Sequence, residues 1–357
     1  MQKKIIALAV AGLVSGAAFA QSNVTVYGII DMAYVYRGDS TVDGQDDHNG
    51  LDDGGWDSSR FGLKGSEDLG NGLALNFKQE YQTKVDTAGN AIKNRNSWVG
   101  FSGKNWGAVQ IGSMGSVHDD YLGITESGGM SWGKDAGVEL LVTGDIGNAI
   151  EYISPSFSGL QFKAGLSSNY DQTEDDDKDK SVDGDFENDR AVFGSVAYDN
   201  GPLKLALTFD TVNEQNTDAA KDEWMAAAAY DFGMFKVGAA YDRATLDDFE
   251  STEEELTRDA WRLNFGVPIG AAGNLGLTYV DVSTEWGDRE QDISSWGISY
   301  SHALSKRTHL YAAGYSGDFD DSYVLDSTDS LPSGNWESGL GSTSYETGFK
   351  VGVRHLF

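Results

Sequence analysis

Leu73-Ala74-Leu75-Asn76-Phe77-Lys78-Gln79-Glu80-Tyr81 alternates in character. Leu73, Leu75, Phe77 and Tyr81 share one face, and Asn76, Lys78 and Glu80 share the other. A period of two marks a β-strand with one apolar and one polar side. Immediately before it, Asp68-Leu69-Gly70-Asn71-Gly72 is a tight-turn sequence that sends the chain back on itself. The pattern recurs downstream. Leu203, Leu205, Leu207 and Phe209 alternate with Lys204, Ala206, Thr208 and Asp210, and Trp261, Leu263, Phe265, Val267 and Ile269 alternate with Arg262, Asn264, Gly266 and Pro268. At the end of the chain Phe349, Val351, Val353 and Phe357 oppose Lys350, Gly352 and Arg354.

Sixteen such segments can be counted between Val24 and Phe357, the second of them beginning near Trp56. Their connections alternate between short Gly- or Asn-containing turns and long polar stretches, roughly 38–55, 85–93, 117–147, 170–189 and 320–343 among the latter. Short turns on one rim and long loops on the other predict an all-β, antiparallel transmembrane barrel of sixteen strands. A soluble exported β-sandwich is the rival fold, but it has no reason to sort its connections by length. Trp56, Tyr81, Tyr152, Tyr230, Tyr241 and Trp286, near strand ends, suit the aromatic girdles of such a barrel.

Composition agrees with a barrel. Hydrophobic residues make up 39% of the 357, yet there are 9 Trp, 16 Tyr and 16 Phe, which argues against disorder. The net charge of −30 excludes nucleic acid as a partner, and there is no cysteine to staple the chain. Residues 1–20 read as a cleaved signal peptide. Lys3 and Lys4 begin it, Ile5 to Val14 form a short apolar run, and Ala18-Phe19-Ala20 offers the cleavage site. These two lysines are the only charges removed, which takes the net charge to −32. The remainder, 21–357, is expected to be one barrel domain.

Several stretches resemble the Gram-negative general porins, a family of trimeric sixteen-stranded diffusion channels. Val24-Thr25-Val26-Tyr27-Gly28-Ile29-Ile30-Asp31 is similar to their first strand, and Ser59-Arg60-Phe61-Gly62-Leu63-Lys64-Gly65-Ser66-Glu67-Asp68-Leu69-Gly70 to their second. Asn94 to Phe101 resembles the fourth strand, and Asn148 to Pro155 the strand after the constriction loop. The resemblance covers all of 21–357. It implies passive diffusion of small hydrophilic solutes and ions, a homotrimer in the outer membrane among lipid and lipopolysaccharide, no cofactor and no enzymatic activity. The terminal Phe357 matches the residue that the barrel assembly machinery is thought to read.

In that family the third long loop folds into the lumen, its acids facing basic groups on the wall. The corresponding loop here is 117–147, with Asp119, Asp120, Glu126, Asp135, Glu139 and Asp145. On the wall Arg60 and Arg95 match the family's basic positions, and alternation places Lys64, Lys78, Lys163, Lys204 and Arg262 on polar faces. Two departures stand out. Relatives often carry Arg where this chain has Ser113, and another Arg near the position of Asp145. A wall short of two positive charges predicts a weak to moderate preference for cations.

Other chemistry finds little support. The five histidines, His48, His118, His302, His309 and His355, show no metal-ligand spacing and read as surface or girdle residues. The run from Glu174 to Asp185 is rich in acids, but a calcium loop read from Asp179 has Arg190 where its last ligand belongs. Loose sharing of divalent cations at such loops is the most it offers. No nucleophile motif stands out, although a rim hydrolase would need one. A closed structural or adhesin barrel would share every pattern above and differ only in conducting nothing.

Overall fold

In the computed structural model, residues 23–40, 46–88, 92–126, 145–167, 190–213, 220–247, 255–287, 289–319 and 345–357 are described. The signal segment, the acidic run 174–185, and Asp135 and Glu139 lie outside them.

The strands, in chain order, are β1 (Asn23–Ser40), β2 (His48–Asp53), β3 (Arg60–Gly70), β4 (Leu73–Thr83), β5 (Ile92–Gly103) and β6 (Gly107–Met114). A short helix, α1 (Val117–Leu122), follows; then come β7 (Ile146–Ile153), β8 (Leu160–Ser167), β9 (Arg190–Asn200), β10 (Leu203–Asn213) and β11 (Ala220–Asp231). The remaining strands are β12 (Lys236–Leu246), β13 (Leu256–Ile269), β14 (Gly273–Trp286), β15 (Arg289–Ala303), β16 (Thr308–Phe319) and β17 (Tyr345–Leu356). Among the described residues every pairing is antiparallel and, apart from β1 with β3, joins neighbours in sequence, and β1 closes the ring by pairing with β17. At the seam Gly28 and Phe357 exchange both backbone hydrogen bonds, 3.1 Å each way. Closure leaves no row of unpaired backbone groups, which the hydrocarbon core of a bilayer would not tolerate.

Among the described residues, seventeen segments make sixteen staves because β2 and β3 share one. Both pair with the same side of β1, from Met32↔Asp53 upward and from Ile29↔Arg60 downward. Two residues of β1, Ile30 and Asp31, are thus spanned by six on the partner, so four extra residues are thrown out of the ladder as a large bulge between Asp53 and Arg60. The stave therefore does not begin near Trp56, as alternation suggests. It starts at His48, breaks, and resumes at Arg60.

The barrel is inverted relative to a soluble protein. On β10, Leu205, Leu207 and Phe209 are 41–52% exposed, whereas Ala206, Thr208 and Asp210 are at most 6% exposed. The first set faces lipid and the second faces inward. Outward aromatics stack across staves in two rows. One, toward the long loops, runs Trp224–Tyr241–Trp261 with centroids 5.1 and 4.5 Å apart. The other, at the short turns, runs Tyr230–Phe232–Phe235 at 4.5 and 4.6 Å. Such rows suit the two membrane–water boundaries. Tyr81, Tyr152, Tyr230 and Tyr241 lie on the outer face. Trp56 and Trp286 do not: the first sits in the bulge on the inner side, and the second is buried on the inner face of β14.

Candidate functional site

The inner face carries an inserted segment, 117–126, which crosses the wall from β8 to β13. Its helix is only six residues long, capped by the Ser116 hydroxyl, which accepts the His118 amide at 3.1 Å. Helical structure here was not legible from alternation. The seat is made of small side chains. Ala206, Ala227, Ala240 and Ala260 leave room on the wall for Leu122, Tyr121 and Ile124 to pack. Val117 anchors the start of the segment among Met114, Ile146, Ala149, Phe193 and Val212. On β12 the fit is closest at Gly238, where a β-carbon would fall 2.2 Å from the Thr125 carbonyl oxygen.

Polar contacts fasten the same segment. Asp120 receives the Lys163 ammonium at 2.5 Å, and the Ser195 hydroxyl donates to Tyr121 at 3.3 Å. Lys236 donates to the Glu126 carbonyl at 2.7 Å, and the Asn264 amide donates to the Thr125 hydroxyl at 3.4 Å. His118 is fully buried. One ring nitrogen lies 2.6 Å from the Thr208 hydroxyl, and the other 2.8 Å from Asp210 and 3.8 Å from Glu223. Lys221 closes the group, 2.7 Å from Glu223. The donor atoms of His118, Asp210 and Glu223 lie within 4.8 Å of one another, close enough to hold a metal ion. The ammonium of Lys221, however, already supplies a cation to the same Glu223 oxygen. The group reads as an ion cluster that pins the loop. Burial opposes charge on His118, but the Glu223 and Asp210 carboxylates outweigh it and push the imidazole above its ordinary value. His118 is thus neither a surface nor a girdle histidine; its partners Asp210 and Glu223 stand far along the chain, on the polar faces of β10 and β11.

Basic side chains line the inner wall elsewhere, and acids meet most of them. Glu80 gathers Arg95 at 3.2 Å, Lys78 at 3.5 Å and the Tyr27 hydroxyl at 2.8 Å. Arg60 lies 3.4 Å from Asp57, and Lys64 stands 5.0 Å over the ring of Tyr27. Lys204 pairs with Asp199 at 2.9 Å, near a short turn and away from the inserted segment. Arg262 is buried on the inner face beside Glu126. Burial pushes the Glu126 carboxyl up against the pull of Arg262, and Asp57 adds to the rise. Asp145 is likewise pushed up by burial, with the Arg95 guanidinium opposing. Asp119 sits on α1 beside Asp120, and Ser113 pairs with Ser97 on the neighbouring strand.

Opposite the inserted segment, the bulge is held by Asp31. Its carboxylate accepts the backbone amides of Trp56 and Asp57 at 3.0 and 2.8 Å and the Tyr311 hydroxyl at 2.5 Å.

The model of the Gram-negative porin family matches residues 7–322. The chain is 32% identical, over the full length of both, to outer membrane porin protein 32 of Delftia acidovorans. It shares its fold with an anion-selective porin from Comamonas acidovorans (TM-score 0.71, 24% identity, covering 94% of this chain and all of that one). The trimer form of OmpT from Vibrio cholerae has a similar fold, with TM-score 0.67, 17% identity, and 94% and 99% of the two chains covered. A closed sixteen-stave barrel, apolar outside and polar within, thus agrees with kinship over the whole length: the chain belongs to the Gram-negative porin family and is a protein of the outer membrane.

Proposed function

We propose that the protein is a water-filled channel for passive diffusion of small hydrophilic solutes and ions, with a weak to moderate preference for cations. The observation that carries this reading is the state of the wall. Arg60, Lys78, Arg95 and Lys163 each have a carboxylate within 3.5 Å, so their charge is largely answered before a solute arrives. Charged groups select ions through the local potential they leave uncancelled. Ser113 and Asp145, where relatives often carry arginine, tilt the balance the same way. The relative from Comamonas acidovorans is described as anion-selective; the proposal separates this chain from it on those charges. The channel needs no turnover chemistry. A polar lumen holds water, and the inserted segment limits what passes.

Single-channel recording of the refolded protein in a planar bilayer, under a potassium chloride gradient, tests the reading. Stepwise conductance with a reversal potential toward potassium is expected. Steps reversing toward chloride would overturn the cation preference, and silence from folded, inserted protein would favour a closed structural barrel. Assembly as a homotrimer belongs to the same proposal, supported by the trimer form of the Vibrio cholerae fold relative. Contacts with lipopolysaccharide, and recognition of Phe357 by the assembly machinery, are further parts of it. Sedimentation in detergent checks the oligomer, and deletion of Phe357 should lower the yield of inserted barrel.

A further inference from the structure

The bulge between Asp53 and Arg60 has no role in the ring itself. Its four extra residues interrupt a stave that would otherwise run unbroken beside β1. An interruption in the middle of a barrel wall sacrifices ladder hydrogen bonds, and bulges of this kind re-aim side chains. Here the chain is turned inward and laid flat on the lumen wall. Gly55 is the point of contact. A β-carbon on it would meet the Tyr311 hydroxyl at 2.2 Å and the Ala33 side chain at 2.6 Å, both on the inner face.

Beyond that contact stands Trp56. Its indole meets His309 and Tyr311 edge-on, with centroids 5.6 and 5.7 Å away, and the Arg354 guanidinium lies over it at 4.7 Å. All three neighbours alternate with lipid-facing residues, Leu310 beside His309 and Tyr311 and Val353 beside Arg354, so the indole is inside the barrel. Arg354 is held in turn by Asp57 at 2.5 Å. Trp56 is therefore braced on three sides rather than loose, yet it remains partly exposed.

Its position round the ring gives it a role. The bulge lies over β16, β17 and β1, whereas the inserted segment lies over β8 to β13. With sixteen staves in the ring, these two walls face each other. The levels also agree: Asp31, which holds the bulge, is near the middle of β1, and Thr208 and Asp210, which hold His118, are in the central part and upper half of β10. Asp57 on the bulge also influences Glu126 at the end of the inserted segment.

We propose that the bulge Gly54–Ser59 is a second jaw of the constriction, with Trp56 as its limiting side chain, so that unit conductance and solute size are set between it and the inserted segment. The proposal rests on the reading of the chain as an open pore. It places a size-determining residue on the wall opposite the loop, where an arginine-braced indole resists being pushed aside.

The absence of cysteine in the native sequence makes the test direct. Trp56→Cys, refolded and recorded in a planar bilayer, should conduct more per channel than the native protein. A water-soluble methanethiosulfonate added to the open channel should then lower the current as the thiol takes up the bulky group. Trp56→Ala should raise unit conductance and speed the uptake of larger uncharged sugars into liposomes. Trp56→Phe, which keeps a ring, serves if the smaller residues do not refold, and its conductance should exceed the native value by less. The jaw is overturned if conductance is native in these variants, if the thiol is modified with no change in current, or if it stays unmodified in conducting channels. Normal steps with any of those results would leave the pore reading standing. Silence of native and variant channels alike would remove the pore reading and the jaw with it.

Discussion

The carbonyl oxygen of Thr125 occupies the space that a side chain on Gly238 would need. A β-carbon at Gly238 would lie 2.2 Å from it, so the loop sits where it does because the strand beneath lacks one. Gly238→Val suits a strand and should leave the barrel intact, but it must lift the segment from the wall. Overpacking of this kind costs about 1–3 kcal/mol. The expected result is a folded, heat-resistant barrel with noisier current. A quiet channel of native conductance would show that the contact does not matter.

His118 is the second fastening. Removing one partner of a buried ionic group leaves the others uncompensated, at about 3–5 kcal/mol. His118→Gln keeps a hydrogen bond for Thr208 but takes the positive charge from between Asp210 and Glu223. Faster proteolytic cleavage within 117–147 is expected, with the strands still protected. Native resistance in that loop would rule out the ion cluster as its anchor.

The same histidine gives the loop a pH dependence with a definite sign. Its pKa in the fold lies above the ordinary value of about 6.5. Its stabilising contribution is therefore complete below about pH 6.5 and is lost as pH rises through the higher value in the folded protein. Current noise from loop movement should increase on the alkaline side in the native protein. In His118→Gln it should be high and flat across that range. A native channel that loosens only toward acid would contradict this.

Selectivity should respond to the acids that answer the wall cations. Glu80→Gln leaves Arg95 and Lys78 without the carboxylate that now lies 3.2 and 3.5 Å away. Asp120→Asn does the same for Lys163. Each change should move the reversal potential toward chloride, and the pair together further than either alone. No movement in either variant would mean that ions do not sample those groups.

The barrel was legible because its signal is repeated. Leu205, Leu207 and Phe209 against Thr208 and Asp210 obey a two-residue period that any strand must keep when one side meets lipid and the other water. The inward direction of the third loop was legible only through resemblance, since 117–126 carries no strand pattern of its own. Trp56 was misplaced for a physical reason. It was read as a strand-end aromatic, but it stands inside the bulge, where the extra residues turn the chain inward before Arg60 resumes the ladder. His118 was missed because its partners, Asp210 and Glu223, stand on strands far along the chain, and nothing local marks a histidine that will be buried among them.

The hydrogen bonds between Gly28 and Phe357 join the opening strand to the last residue of the chain. Synthesis and export deliver residues in order, so the first strand waits with an open edge until the final one arrives. Non-local pairing of this kind is slow to form. The exported chain must therefore cross to its membrane unfinished, and its exposed edge during that journey is the state in which it is most liable to aggregate. The architecture that makes the finished pore edgeless thus leaves its precursor with an open edge until the ring closes.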